Sequence, residues 1–297
     1  MFNFLKYRKI YYFFSGILIL VSIFSLIFYR LNLGIDFTGG SILEIEFIKE
    51  RISNQEVEQK LSDLNLGISS LQPTGDKGLI IRMKDIDEDT HQKILQIFNG
   101  NIQEKSFESI GPTIGKELKD KTIVFVILVL LAIVFYIAFA FRKASGPVAS
   151  WQYGLIASLV AFFHDVLIPL GIFSLLGKFY EVQVTIPIVV GLLTILGYSV
   201  HDTIVVIDRI RENLLKKREL NFEETVSESL NQTIVRSVST SLTALLVLFA
   251  IFLFGGETLK YFALILILGI SLGTYSSIFI ASPALITWFN WRHEKRG

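Results

Sequence analysis

The chain has 297 residues, of which 52% are hydrophobic and 19% charged, with a formal net charge of +1 and no cysteine. Soluble domains average ~45–50% apolar and ~25% charged residues. Here the apolar residues are gathered into long runs, which excludes an ordinary soluble enzyme and a disordered chain. The near-zero charge offers no basis for nucleic-acid binding, and the lack of cysteine excludes disulfides and cysteine-bound metal clusters.

Six runs are long and apolar enough to cross a bilayer as helices, which takes roughly 20 residues each. They cover residues 11–29, 122–141, 151–176, 182–207, 237–254 and 261–288. The first run follows three basic residues, as in a signal peptide, but it is longer than a signal-peptide core and no cleavage motif precedes Arg30. We interpret it as an uncleaved anchor, and the sequence predicts a polytopic α-helical membrane protein with six transmembrane helices.

Lysine and arginine are distributed unevenly between the two sides of this arrangement. Thirteen lie in the N-terminal segment, the loops at 142–147 and 208–235, and the C-terminal tail. The two short opposite loops hold one each, Lys178 and Lys260. Because positive residues favour the cytoplasmic side, we expect both termini in the cytoplasm and the segment after the first span outside.

The polar segment 31–120 is expected to form one external (periplasmic) α+β domain. It alternates apolar and polar residues at 41–47, places Ser53 as a helix cap, and continues through short strands and a helix at 87–98. The order β-α-β-β-α-β is typical of ferredoxin-like folds. No catalytic constellation lies within it, so a binding module is favoured over an enzyme. The predicted organisation is 1–30 for the N terminus and first span, 31–120 for the external domain, 121–291 for spans two to six with a cytoplasmic loop at 208–235, and 292–297 for the tail.

Charged residues interrupt the apolar runs, where each costs ~2.5–3.5 kcal/mol on insertion scales. His164 and Asp165 lie in the third run, His201 and Asp202 in the fourth, and Arg236 begins the fifth. The fourth and fifth spans are antiparallel, so an ion pair between Asp202 and Arg236 is possible. This favours a carboxylate that gains and loses a proton opposite a guanidinium. The alternatives are a purely structural role of Asp202 near the loop and an Arg236 that only extends its charge to the membrane interface.

The histidines have two interpretations each. His201 points about 100° away from Asp202 around the helix, and it is either a relay group or an interior hydrogen-bonding group. His164 with Asp165 forms either a second relay element or a helix–helix hydrogen bond.

Two local motifs resemble those of a known family. The glycine-rich turn Asp36-Phe37-Thr38-Gly39-Gly40 follows the first span, and the string GYSVHDTIVVIDRIREN at 197–213 joins the fourth span to the cytoplasm. With six spans and one large first external loop, the chain resembles the SecD/SecF family of protein-export membrane proteins, in the RND superfamily. The span count and loop size are those of its SecF branch.

The resemblance implies an accessory subunit of the Sec translocase in the bacterial inner membrane. With SecD it would use the proton-motive force to drive or complete export of unfolded preproteins through SecYEG, after the ATP-dependent step of SecA. In this family a span-four aspartate and a span-five arginine are implicated in proton conduction, and they map onto Asp202 and Arg236. The family usually has asparagine where this chain has His201. The small residues Gly269, Gly273 and Ser277 suit close helix contact and are a candidate SecD interface.

Two other functions remain open from the sequence. A small-molecule exporter of the same superfamily generally carries two repeats, so this chain would be one half of it. A passive scaffold of the translocation channel would need no ion coupling. No phosphate-binding loop and no metal-ligand spacing occurs, so we predict neither enzyme activity nor a cofactor or metal.

Overall fold

The computed structural model describes residues 4–140, 150–216 and 221–294. The helices are α1 (Arg8–Phe28), α2 (Ile35–Thr38), α3 (Asn54–Leu61), α4 (Glu88–Ile97), α5 (Pro112–Ala140), α6 (Ser150–Tyr180), α7 (Ile186–Lys216), α8 (Phe222–Phe254), α9 (Glu257–Ser276) and α10 (Ser282–Glu294). The strands are β1 (Gly40–Phe47), β2 (Ser70–Thr74), β3 (Gly78–Met83) and β4 (Ile102–Ile110). A π-helical segment, Ser277–Ala281, joins α9 to α10, and short 3-10 turns cover Phe4–Tyr7 and Ser62–Leu64. The predicted loop at 142–147 and residues 295–297 of the predicted tail lie outside the described residues.

Six helices of the described chain are long and apolar enough to cross a membrane, which confirms the predicted spans. They are Leu5–Phe28, Pro112–Phe139, Leu159–Tyr180, Ile186–Lys216, Phe222–Phe254 and Leu259–Trp291. Large apolar side chains such as Phe13 and Phe135, both 72% exposed, lie on the outer surfaces of these helices. In a membrane such side chains face lipid rather than water.

Helices α7 and α8 extend well beyond the predicted spans. The predicted loop at 208–235 is helical over most of its length, and its second half is the beginning of α8. A capping box formed by Asn221 and Glu224 begins α8, and neither glycine nor proline interrupts it. Its 33 residues rise about 50 Å, against a hydrocarbon core ~30 Å thick.

Polar contacts join the extended ends of α7 and α8. The amide nitrogen of the buried Asn213 donates to Ser229 Oγ at 2.8 Å and to Gln232 Oε1 at 2.9 Å. Arg209 Nε also donates to Gln232 Oε1, at 2.6 Å. These bonds keep the two helices paired past the apolar region.

Small residues let α9 approach α7 closely. A Cβ atom added at Gly269 would lie 2.2 Å from Ile195, and one added at Gly273 would lie 3.1 Å from Ser199. The small-residue row of the sixth span therefore packs against α7 of the same chain. The expectation that this row is the contact for a partner subunit is wrong, because α7 already covers it.

The external unit has the predicted ferredoxin-like order. Its four strands form an antiparallel sheet in the order β2-β3-β1-β4. Leu43, Ile45 and Phe47 alternate along β1 and lie in the core with residues of α3 and α4. Ser53 caps α3 by accepting the amide of Glu56 at 3.2 Å, as its position predicts.

This compact unit comprises residues 32–125 together with 181–185. The second segment, between α6 and α7, pairs with the first: the Gly34 amide donates to the Val184 carbonyl at 2.8 Å. Arg82 Nε also donates to Gln183 Oε1 at 3.1 Å. A segment far away in sequence thus completes the unit.

The glycine-rich turn fits its structural environment tightly. Gly39 and Gly40 have φ values of 73° and 129°, which residues other than glycine rarely adopt. A Cβ on Gly39 would lie 2.7 Å from Pro112, and one on Gly115 would lie 2.7 Å from the Gly39 amide nitrogen. Gly39 and Gly115 therefore let strand β1 begin directly beside the start of α5.

The cap of α4 makes a pH-dependent contribution to the external unit. Asp87 accepts the amide of Thr90 at 2.9 Å, and hydrogen bonds from Thr90 lower the pKa of Asp87 below its ordinary value of 3.8. Because the pKa of Asp87 is lower in the folded state, its ionised carboxylate stabilises the fold at pH values above 3.8. This stabilisation is lost as the pH falls through the lowered pKa of the folded state. After correction for the intrinsic pH dependence of exchange, the α4 amides are therefore expected to lose protection in acid in the wild type but not in Asp87→Asn, because asparagine caps without titrating. Identical pH profiles for the two proteins would contradict this account.

Candidate functional site

Asp202 lies in the middle of α7 and is 7% exposed. Ser237 of α8 donates to its Oδ1 at 2.7 Å, and Ser277 of the π-helical segment donates to its Oδ2 at 3.2 Å. Three elements of the membrane unit thus meet at one carboxyl group. Buried polar groups need such partners, and hydroxyls supply them for both the ionised and the protonated carboxyl because they donate and accept.

Arg236 does not form the expected ion pair with Asp202. Within the described residues no nitrogen of Arg236 lies within 4.0 Å of a carboxylate oxygen, and the side chain is exposed. Neighbouring residues of a helix point about 100° apart, and it is Ser237 that turns toward Asp202. The positive charge of Arg236 acts on the carboxylate only over a longer range.

The inward polar face of α8 does not include Arg236. Thr233, Ser237 and Ser241 are buried at intervals of four residues. Ser239, Thr240 and Thr243, which follow Arg236 at helical spacing, are exposed like Arg236 itself. On α7, His201 is exposed as well, so it is not an interior group within this chain.

A second buried carboxyl group, Asp165 of α6, lies in the same helical bundle and is fully buried. Its Oδ1 is 2.8 Å from Nδ1 of His164. Its Oδ2 accepts hydrogen bonds from Ser276 of α9 at 2.7 Å and from Ser199 of α7. The structure thus brings the predicted pair His164–Asp165 together and connects it to two further helices.

His164 extends this network to α1. Its Nε2 is 3.1 Å from Ser15 Oγ, which in turn is 3.4 Å from the hydroxyl of Tyr275. His164 and Ser15 are both buried. The histidine therefore connects a carboxyl group on α6 with hydroxyls of α1 and α9.

The serines around the two carboxyl groups and His164 were not predicted from the sequence as polar partners. They are Ser15, Ser199, Ser237, Ser276 and Ser277. Serine is common in membrane helices as a small packing residue, and Ser277 was noted only for its size. The available signal was position: Ser199 precedes Asp202 by nearly one turn, and Ser237 follows the conspicuous Arg236. In the described ranges, no group of three His, Asp or Glu residues is arranged as metal ligands.

Two family profiles match the chain. The profile described as protein export membrane protein SecD/SecF, C-terminal, covers residues 90–291. The SecD/SecF GG motif covers residues 24–47, which include the glycine-rich turn.

Whole-chain comparisons agree with these profiles. The protein translocase subunit SecF of Thermobaculum terrenum is 41% identical over 98% of this chain and 95% of its own length. The subunit of the same name from Anaerolinea thermophila is 39% identical over 100% of this chain and 98% of its own length. The crystal structure of SecDF from Thermus thermophilus, described as a translocon-associated membrane protein, is similar with a TM-score of 0.84 and 32% identity. That match covers 97% of this chain but only 39% of the SecDF chain.

Proposed function

The chain belongs to the SecD/SecF family of protein-export membrane proteins, and we propose that it uses the proton-motive force to drive or complete preprotein export. It works with a SecD-type subunit beside the SecYEG channel, after the ATP-dependent step of SecA. Both termini lie in the cytoplasm of the bacterial cell. The external unit contacts the unfolded preprotein as it emerges.

The observation that carries this proposal is the environment of Asp202. The carboxyl group is buried mid-span among hydroxyls, with no cation within 4.0 Å in the described chain. A buried ion without a paired charge is costly in a membrane, so conformations that change its access to water also change its proton occupancy. Moving a unit charge across the membrane changes its free energy by ~2.3 kcal/mol per 100 mV, which shifts a two-state equilibrium about 40-fold.

Arg236 and His201 belong, in this proposal, to the side of the bundle that a partner covers. Both are exposed within membrane-spanning helices, as are Thr194 and Thr240. Charged and polar side chains in spans face protein or water rather than lipid. A SecD-type helical bundle is the expected cover, because the related SecDF chain is more than twice as long as the part matched here. Arg236 then supplies its charge from the interface, while His164 and Asp165 form a second proton-holding group.

A photoreactive amino acid at position 240 tests this interface. It is expected to form several-fold more adduct with the SecD-type subunit than the same group at Leu242, an exposed position about 200° further around the helix. Equal adduct from both positions, or none from position 240, contradicts the proposed side.

The test of function measures export from vesicles that contain the chain, a SecD-type subunit and SecYEG. A preprotein is arrested by removing ATP, and a proton gradient is then imposed. Completion of export is expected to depend on the gradient in the wild type and to be independent of it in Asp202→Asn. Asp208→Asn is the matched control, because Asp208 lies on the same helix but is exposed and contacts Arg211 at 3.3 Å.

The outcomes separate the three functions. Export that responds equally to the gradient in wild type and Asp202→Asn contradicts proton coupling through this residue. A gradient-independent export defect on removal of the whole chain would leave only the scaffold. Normal export with lost efflux of small molecules would indicate an exporter.

A further inference from the structure

Two adjacent hydroxyls of the sixth span hold the two buried carboxyl groups. Ser276, the last residue of α9, donates to Asp165 Oδ2 at 2.7 Å. Ser277, the first residue of the π-helical segment, donates to Asp202 Oδ2 at 3.2 Å. Both serines are fully buried. Consecutive residues of one span therefore contact acids that belong to two other spans.

Each of these serines has a second acceptor in its own helix. Ser276 Oγ is 3.1 Å from the Gly273 carbonyl oxygen, and Ser277 Oγ is 3.1 Å from that of Thr274. A hydroxyl has one hydrogen to donate and two lone pairs that accept. Its hydrogen therefore points either to the carboxylate or to the helix carbonyl, and it is satisfied in both directions.

We propose that Ser276 and Ser277 form a paired hydroxyl switch that reports the protonation of Asp165 and Asp202 to the π-helical segment. Opposite an ionised carboxylate, each serine donates to it. When a hydronium ion transfers a proton to the carboxylate and leaves as water, the new carboxyl O–H donates to the serine oxygen, and the serine hydrogen turns to the helix carbonyl. One O–H bond of the hydronium ion breaks, one O–H bond of the carboxyl group forms, and the serine O–H bond stays intact. This inference rests on the proposed proton coupling.

The π-helical segment contains hydrogen bonds with which the serine hydroxyls compete. The Gly273 carbonyl already accepts the amide of Ser277, so a hydroxyl that turns toward it competes with a main-chain bond. Ser282 Oγ donates to the Ser277 carbonyl at 2.9 Å. π-helical turns are rare and are frequent at functional sites. Rotation of the serine hydroxyls therefore acts where the helix passes from one hydrogen-bond pattern to another.

The other groups that face the two carboxyl groups come from the neighbouring helices. They are His164 and Ser199 at Asp165, and Ser237 at Asp202, with His201 and Arg236 acting on Asp202 over a longer range. His164 is the titratable group in direct contact with Asp165, so the variant His164→Gln is measured over the same pH range as the serine variants.

Amide hydrogen exchange of residues 277–282 tests the switch in the full chain with a SecD-type subunit in lipid nanodiscs. After correction for the intrinsic pH dependence, the wild type is expected to change its exchange across the carboxyl titration by up to about tenfold, the equivalent of one hydrogen bond. The joint variant Ser276→Ala/Ser277→Ala is expected to lose this change. The joint threonine variant, which keeps both hydroxyls, is expected to retain it.

Ser174→Ala is the matched control, because Ser174 is a buried serine of α6 whose hydroxyl donates to the Ser25 carbonyl rather than to a carboxyl group. It is expected to retain the pH response. A response that persists in the joint alanine variant, or that is absent from the wild type, overturns the switch. If His164→Gln alone removes the pH response, the response belongs to the histidine, and this result also overturns the switch.

If the joint alanine variant does not fold, asparagine variants of the two carboxyl groups test the switch instead. Asp165→Asn/Asp202→Asn holds both side chains neutral and is expected to exchange independently of pH, and a remaining pH response contradicts the switch. Export distinguishes this from the proposed function. If Asp202→Asn abolishes gradient-driven export while the joint alanine variant keeps its pH response, the function stands and the switch fails. If the response needs the serines but the wild type shows no gradient-driven export, the function fails.

Discussion

Replacing Asp165 by alanine is expected to lower the free energy of unfolding by about 2–6 kcal/mol, because two buried groups lose a hydrogen-bond partner and each unsatisfied group costs about 1–3 kcal/mol. The carboxyl group is fully buried and is the acceptor for Ser199 and Ser276 while facing His164 Nδ1 at 2.8 Å. Alanine leaves Ser199 and His164 without this partner. Ser276 is less affected because the Gly273 carbonyl remains within 3.1 Å.

Thermal and denaturant unfolding in detergent measures this effect. Asp165→Asn is expected to lose less, because its amide oxygen still accepts one hydrogen bond. Asp208→Ala serves as the exposed control and is expected to remain within about 0.5 kcal/mol of the wild type. An Asp165→Ala protein as stable as this control would show that the buried network contributes nothing to the fold.

Replacing Gly269 by alanine is expected to destabilise the bundle by about 1–3 kcal/mol, the range for overpacking a filled core. The added Cβ would lie 2.2 Å from two atoms of Ile195, a side chain that is 1% exposed. The contact between α7 and α9 must therefore open or Ile195 must leave its position. The same displacement moves Asp202 away from Ser277, so gradient-driven export is expected to fall with stability.

A double-mutant cycle isolates this contact. Ile195→Ala removes the clashing atoms, so Gly269→Ala in that background is expected to cost less than in the wild type, with a coupling of about 0.5–3 kcal/mol. Gly197→Ala is the matched control on α7, because no atom lies within 4 Å of its added Cβ. Strict additivity of the two changes would contradict the proposed close approach.

The spans and the external domain were predictable because they depend on local composition. An apolar run long enough to cross a bilayer, and alternation such as that of β1, are properties of neighbouring residues. The ends of α7 and α8 were not predictable in this way. Their extension depends on contacts such as Asn213 with Ser229, which join residues on different helices. The pairing of 181–185 with the external unit is likewise a tertiary contact.

The candidate site was only partly predictable for a related reason. Asp202 is conspicuous because a charge within an apolar run is costly. Its partner was predicted as Arg236, since opposite charges at similar depth attract, but sequence alone does not determine which face of α8 turns inward. Ser237, the next residue, occupies that face. Serines are neutral and frequent in membrane helices, so the role of Ser276 and Ser277 emerges only from their three-dimensional positions.

Proton flux into sealed vesicles that contain this chain and a SecD-type subunit measures directly whether Asp202 carries protons. Under an imposed gradient, the wild type and Asp208→Asn are expected to carry protons at equal rates. Asp202→Asn is expected to fall to the rate of protein-free vesicles, because its side chain cannot take up and release a proton. Wild-type flux in Asp202→Asn would contradict the account.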